Sequence, residues 1–229
     1  RVDAELMGVA GESLKVVSQI AVGFDNIDIA EATRRGIPVG NTPDVLTQTT
    51  ADATFALMLA SARKIVDGWR TVQDGSWRTW HPLHFLGQDV YGSTMGIVGM
   101  GRIGFEVAKR ALGFDMEVIY YDVAQMDELE VKIPMKRVDL DTLLRESDFV
   151  SLHTVLDDST YHLIGRSELS KMKESAILVN ASRGPIVDSK ALYSALVNGS
   201  IWSAALDVTD PEPIPKDDPL LTLDNCLIV

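Results

Sequence analysis

The run "GIVGMGRIG" sets three glycines at Gly99-x-Gly101-x-x-Gly104, directly after an apolar stretch and at the start of the helical pattern "RIGFEVAKRAL". That order suits a diphosphate. Gly99 permits a tight turn, Gly101 lets the backbone approach a pyrophosphate, and Gly104 lets the helix meet the sheet. The helix start adds unpaired N–H groups and a positive dipole end. Asp122 closes the next apolar run, where a carboxylate accepts both hydroxyls of an adenosine ribose and repels a 2′-phosphate. The bland alternative is a tight turn followed by a surface Asp. The strand–glycine–helix order favours a dinucleotide, with NAD(H) preferred and NADP(H) as the alternative.

Other residues carry groups that act on small anions. In "LVNASRGPIVD", Arg183 stands between Ser182 and Gly184 just after an apolar strand. Its planar guanidinium can grip a carboxylate through two parallel hydrogen bonds and polarise a neighbouring carbonyl. The competing reading is an ordinary surface ion pair. "AALDVTDPEP" puts Asp207 at a strand end and Glu212 a short turn later, and acidic residues in such a loop are commonly just solvated. Cys226, the one cysteine, has no accompanying zinc set, so no metal site is expected and the thiol reads as a buried bystander.

The elements that must position these groups alternate between strand and helix patterns. Strands are expected at 95–98, 116–121, 149–153, 176–180, 203–206 and 227–229, with helices at 102–111, 140–145, 166–172 and 189–197. That alternation is an α/β, doubly wound parallel sheet of the Rossmann type. Its carboxyl edge would gather the glycine loop, Arg183 and Asp207. Upstream, "LKVVSQIAVG" and "GIPVGNT" read as strands around a short helix capped by Asp28 and stopped by Gly36, a βαβ unit. "TQTTADATFALMLASARKIVDGW" reads as one long helix over 47–69. The Trp-rich stretch 73–92 shows no periodicity and reads as an irregular arm.

Composition narrows the classes. Of 229 residues, 46% are hydrophobic and 24% charged, ordinary for a globular protein. A formal charge of −12 argues against a broad nucleic-acid surface. No apolar run is long enough to span a membrane. The single cysteine allows no internal disulfide and fits a reducing compartment, so the cytoplasm is expected. The chain opens on Arg rather than Met, which leaves room for an upstream targeting segment.

Taken in order, "AVGFDNIDIAEATRRGIPVGNTP", "GMGRIG" with Asp122, "VNASRGPIVD" and "LDVTDPEP" resemble the D-isomer-specific 2-hydroxyacid dehydrogenases across essentially the whole chain. Within them, "DVYGSTMGIVGMGRIG", "TYHLIG" and "DPLLTLDNCLIV" are similar to glyoxylate/hydroxypyruvate reductases. The resemblance implies an NAD(P)-binding domain over 47–229, including a dimerisation helix and arm at 47–90. Residues 1–46 would be part of a smaller, flavodoxin-like substrate domain. It further implies a homodimer that reduces a small 2-oxo acid to the D-2-hydroxy acid with NAD(P)H. On the matching positions, Val22 and Gly23 offer N–H groups to the substrate carboxylate, and Arg183 is the catalytic arginine. Glu212 pairs with a catalytic histidine, Asp207 lies near the nicotinamide, and Thr50, Arg102, Ile103, Asp122, Thr154, Ala181 and Ser182 line the cofactor. His153 begins a family His-x-Pro pattern in which Val155 takes the proline place.

The family's acid/base histidine follows the last strand, beyond Val229, and none of His81, His84, His153 or His162 occupies that place. The family's substrate domain likewise starts before Arg1 and regains a helix after Val229. Two rival readings share the motifs. One is another family enzyme, such as a D-3-phosphoglycerate dehydrogenase, although no Lys or Arg lies within 22–26 to meet a phosphate. The other is a non-catalytic, NAD-sensing corepressor that binds peptide segments.

Overall fold

The computed structural model describes all 229 residues, in two compact units, Arg1–Gln48 and Thr49–Val229. The division falls two residues beyond the expected boundary at 46/47. In the first unit run α1 (Ala4–Ala10), β1 (Val17–Ser18), α2 (Ile29–Arg34) and β2 (Val39–Gly40). The two strands pair in parallel around α2, as the βαβ reading requires. Both are shorter than their apolar runs. Asp28 caps α2 by accepting from the Glu31 N–H, and Gly36, at φ +68°, turns the chain out of it. Met7, Ile27, Ala32 and Ile37 form this unit's own core.

At the boundary begins α3 (Thr47–Ala62), followed by α4 (Ile65–Gln73). One helix over 47–69 was expected; the structure breaks it at Lys64, which adopts a left-handed conformation at φ +48°. After the irregular arm come β3 (Thr94–Val98), α5 (Arg102–Leu112), β4 (Glu117–Tyr121), α6 (Asp127–Glu130) and β5 (Lys136–Arg137). The remaining elements are α7 (Leu140–Glu146), β6 (Phe149–Leu152), α8 (Arg166–Leu169), β7 (Ile177–Asn180), α9 (Ser189–Val197), β8 (Ser203–Leu206) and β9 (Cys226–Ile228). The helix expected over 166–172 is regular only to Leu169.

All seven strands from β3 onward join one sheet in the order β5-β4-β3-β6-β7-β8-β9, every pair parallel. Alternate side chains enter opposite cores, because strand residues point to the two faces in turn. Met95, Ile97, Val118, Tyr120, Ile177 and Val179 meet α3 and α5 on one face. Val98, Ile119, Val150, Leu152 and Leu178 meet α7, α8 and α9 on the other. The two edges differ: β5 is two charged, exposed residues, whereas β9 is a half-buried Cys-Leu-Ile. Burial, with a smaller contribution from Asp218, pushes the Cys226 thiol up to about 12. It is therefore a protonated thiol at neutral pH rather than a nucleophile.

Gly96 on β3 lets α7 approach the sheet. A Cβ there would overlap Ser147 Oγ and lie 2.8 Å from Leu143 Cδ2. Both neighbours belong to fully buried residues, with little room to yield. Gly96→Ala is predicted to destabilise the fold by about 1–3 kcal/mol through overpacking. Urea unfolding measures this, and an unchanged midpoint would show that α7 shifts freely.

Candidate functional site

β3 and β6 lie side by side, but the chain leaves β3 toward β4 and leaves β6 toward β7, on opposite sides. Such a reversal opens a crevice at the carboxyl ends of the two strands, where ligands of doubly wound sheets bind. Gly99 stands there with φ +93°. A Cβ on it would lie 2.7 Å from both His153 C and Thr154 N. Glycine is thus required for backbone angle and for clearance. Gly104 is required for packing, because its Cβ would run into the Gly99 carbonyl.

Gly101 differs. Its φ is −77°, open to any residue, and a Cβ there would meet no protein atom within 4 Å. Nothing in the chain demands glycine, and the empty space over it is what a close-lying pyrophosphate would fill. Gly101 is also the N-cap of α5, and no side chain caps that helix. By contrast α1, α2, α7 and α9 each begin with an Asp whose carboxylate accepts N–H groups of the first turn. The one long helix that starts at the crevice without an acidic cap is the one whose N–H groups and dipole would serve an anion. Arg102 and Ile103 form its first turn.

Asp122 is held against this loop. Its Oδ2 accepts the Met100 N–H at 2.8 Å and its Oδ1 the Ala124 N–H at 3.1 Å. The carboxylate is therefore fixed between the glycine turn and the end of β4. Arg137, which the motifs did not single out, donates to the Asp122 and Val123 carbonyls and pins the turn from β5.

Arg183 follows β7 in extended backbone, and its Nη1 donates to the Ser182 carbonyl at 2.7 Å. Ala181, Ser182 and Arg183 are half-buried on this loop. Gly184 is buried, and a Cβ there would overlap the Thr209 carbonyl. The missing side chain is what allows the 207–213 loop to rest on the Arg183 loop. Asp207 and Glu212 occupy that second loop. Partial desolvation, then the Glu212 carboxylate, raises the Asp207 pKa, although the residue as a whole is exposed. The two carboxylates thus sense one another.

His153 and Thr154 form the far wall of the crevice. The His153 ring pairs with Ser151 Oγ at 2.8 Å, and burial of the ring pushes its pKa down to about 4, while the residue overall is half-buried. Thr50 sits in the first turn of α3, whose buried face shares a core with Met100. In the first unit, Val22 and Gly23 follow β1. Their carbonyls are held by Asn41 and Gln19, while their N–H groups enter no hydrogen bond within the chain.

Residues 55–229 match the D-isomer specific 2-hydroxyacid dehydrogenase, NAD binding domain. The chain belongs to that family. A glyoxylate reductase of Korarchaeum cryptofilum is 55% identical over 228 residues, 99% of this chain and 68% of that protein. The crystal structure of the TT0316 protein from Thermus thermophilus superposes with a TM-score of 0.92 at 48% identity, covering 100% of this chain and 71% of the other. A D-lactate dehydrogenase from Aquifex aeolicus complexed with NAD and lactic acid gives 0.88 at 31%, covering 100% and 72%.

In this dehydrogenase the open space over Gly101, the uncapped start of α5 and the fixed Asp122 fit a dinucleotide. Gly101→Ala is predicted to weaken NADH binding at least about tenfold while changing stability by under about 1 kcal/mol. Gly99→Ala is predicted to act on the fold itself. Fluorescence titration with NADH, beside urea unfolding, separates the two; equal binding by Gly101→Ala would show that no phosphate lies over it.

His153 predicts a pH dependence of stability. Its ring is neutral in the fold with a pKa near 4, against about 6.5 in an unfolded chain. As pH falls from about 6.5 toward 4 the unfolded state takes up the proton first, so this residue costs up to about 3 kcal/mol across that window and nothing above it. Replacing His153 with Gln should flatten the stability–pH curve between pH 4 and 6.5. A slope equal to that of the native protein would assign the acid sensitivity elsewhere.

Proposed function

We propose that the protein reduces glyoxylate, and with it hydroxypyruvate, to the 2-hydroxy acid, using NADH in preference to NADPH. The observation that carries this is the half-buried Arg183, held on a rigid loop at the same sheet edge as the glycine cradle. The Korarchaeum relative, named a glyoxylate reductase, points to the same substrate. A small substrate also fits the absence of Lys and Arg from 22–26, since a phosphorylated one would need a cation there.

NADH, when bound, supplies the hydride. The chain supplies orientation and charge. Arg183 grips the substrate carboxylate and stabilises charge that grows on the neighbouring carbonyl oxygen. The family resemblance assigns Val22 and Gly23 the role of carboxylate donors, and within the first unit their N–H groups are unbonded. Asp122 favours the ribose hydroxyls and refuses a 2′-phosphate. His153 is not the acid in this reading, because burial of its ring lowers its pKa to about 4 and leaves the imidazole in its neutral, weakly acidic form at neutral pH. The acid role belongs to the histidine that the family places after its last strand, and Glu212 supports its charged form.

Replacing Arg183 with Lys keeps the charge but loses the planar fork. It is predicted to lower kcat/KM for glyoxylate at least about 30-fold, roughly 2 kcal/mol of transition-state stabilisation, with NADH affinity unchanged. Glu212→Gln is predicted instead to displace the pH–rate profile. Steady-state kinetics from about pH 5 to 9 test both, and near-normal turnover by Arg183→Lys would refute the anchoring role.

The same reading includes a two-fold dimer through α4 and the arm. Ile65, Trp69 and Val72 form an exposed apolar stripe at helical spacing on α4, continued by Trp77, Trp80, Leu83 and Leu86. So many large apolar side chains in sequence need a partner surface. Sedimentation at micromolar concentration should give a dimer, and a clean monomer would reject this part.

A further inference from the structure

We infer that Asn180 is a positioning residue for the reduction: its buried carboxamide sets the loop that carries Arg183 and so the direction from which the guanidinium meets substrate. This rests on the role given to Arg183 above. The β7 residues before it, Ile177, Leu178 and Val179, are all apolar and fully buried, and Asn180 is fully buried as well. A carboxamide there costs desolvation that the core does not require. The partners of the carboxamide all lie in the loop that follows. Oδ1 accepts the Ser182 N–H and the Ser182 hydroxyl, both at 3.1 Å. Nδ2 donates to the Arg183 carbonyl at 2.9 Å, and the backbone carbonyl of Asn180 accepts the Asp207 N–H at 2.9 Å.

The orientation of the amide is unambiguous, since a carbonyl can only accept and a backbone N–H only donate. The residue thus bonds to Ser182, to Arg183 itself and to the first residue after β8. From the other side Thr209 packs onto Gly184, so residues 181–184 are held between a carboxamide beneath and a backbone above. Arg183 adds its own tether to the Ser182 carbonyl. A loop restrained on both sides presents its guanidinium in one direction, which is what a transition-state contact requires.

The test uses two variants of the full-length protein. Asn180→Asp keeps the acceptor for Ser182 but, when ionised, puts a carboxylate against the Arg183 carbonyl where a donor stood. At pH 8 its kcat/KM for glyoxylate should fall at least about tenfold, with the NADH dissociation constant within about threefold of native. Toward pH 5 the protonated carboxyl regains a donor, so the ratio of variant to native kcat/KM should rise. A general loss of structure would not recover on acidification. Asn180→Ala removes both contacts and should speed amide hydrogen exchange at Ser182 at least about tenfold, a readout independent of turnover.

If Asn180→Asp stays within twofold of native at every pH while Arg183→Lys is impaired, the positioning role is wrong and the Arg183 assignment stands. If Arg183→Lys is itself near normal, both fall. Should Asn180→Ala not fold, the Asp variant still decides, because it conserves size and shape.

Discussion

The peptide between His153 and Thr154 passes so close to Gly99 that no side chain fits between them. That one approach joins the end of β3 to the end of β6, the pair at which the chain reverses its direction across the sheet. The crevice depends on it. If the two strand ends stood farther apart, the glycine turn would lose its backing and α5 would no longer start over the gap. The half-buried His153 belongs to the same constraint, because its ring is folded back onto Ser151 and leaves the backbone to form the wall. A charged imidazole in that place would have to be hydrated, and water there would open the contact.

Charge is distributed to match. The protein is strongly acidic, at −12, yet the groups expected to meet anions lie where acidic caps are missing or cations are tethered. α5 begins with glycine where four other helices begin with Asp, and Arg183 is fastened to its own loop. Local donors thus outweigh a distant negative field, which falls away over about 10 Å in salt. Asp122 is the exception, a carboxylate fixed against the glycine turn, which under the proposed function would favour ribose hydroxyls over a 2′-phosphate.

Much of this was legible beforehand, wherever a local pattern carried a physical need. The glycine spacing, the strand–helix alternation, the Asp28 cap and the aperiodic Trp-rich arm all express such needs in neighbouring residues. The break at Lys64 does not. The apolar spacing of "ARKIVDGW" continues as if helical, and no Gly, Pro or Asn marks the left-handed residue. β5 was equally hidden, because "KR" becomes a strand only by pairing with β4. Asn180 was visible as a letter within "VNASRG", but its importance lies in burial and in the β7–β8 register, which place Asp207 against its carbonyl. Gly184 required knowledge of what folds over it, and Arg137 of what lies beside it. Long-range placement, rather than residue type, separates what could be read from what could not.

The unlike edges of the large sheet bear on how the protein behaves when crowded or partly unfolded. At β5 the edge is two residues long and carries Lys136 and Arg137, one of which already spends its guanidinium on neighbouring carbonyls. Such an edge offers an incoming strand almost no ladder and a penalty of charge. At β9 the three residues Cys226, Leu227 and Ile228 are apolar, β-prone and uncharged. By its own composition β5 is thus the edge that resists strand addition, while β9 carries no charge of its own to do so. Protection of β9 therefore rests on what packs against it rather than on charge, whereas β5 carries its protection in its own two side chains.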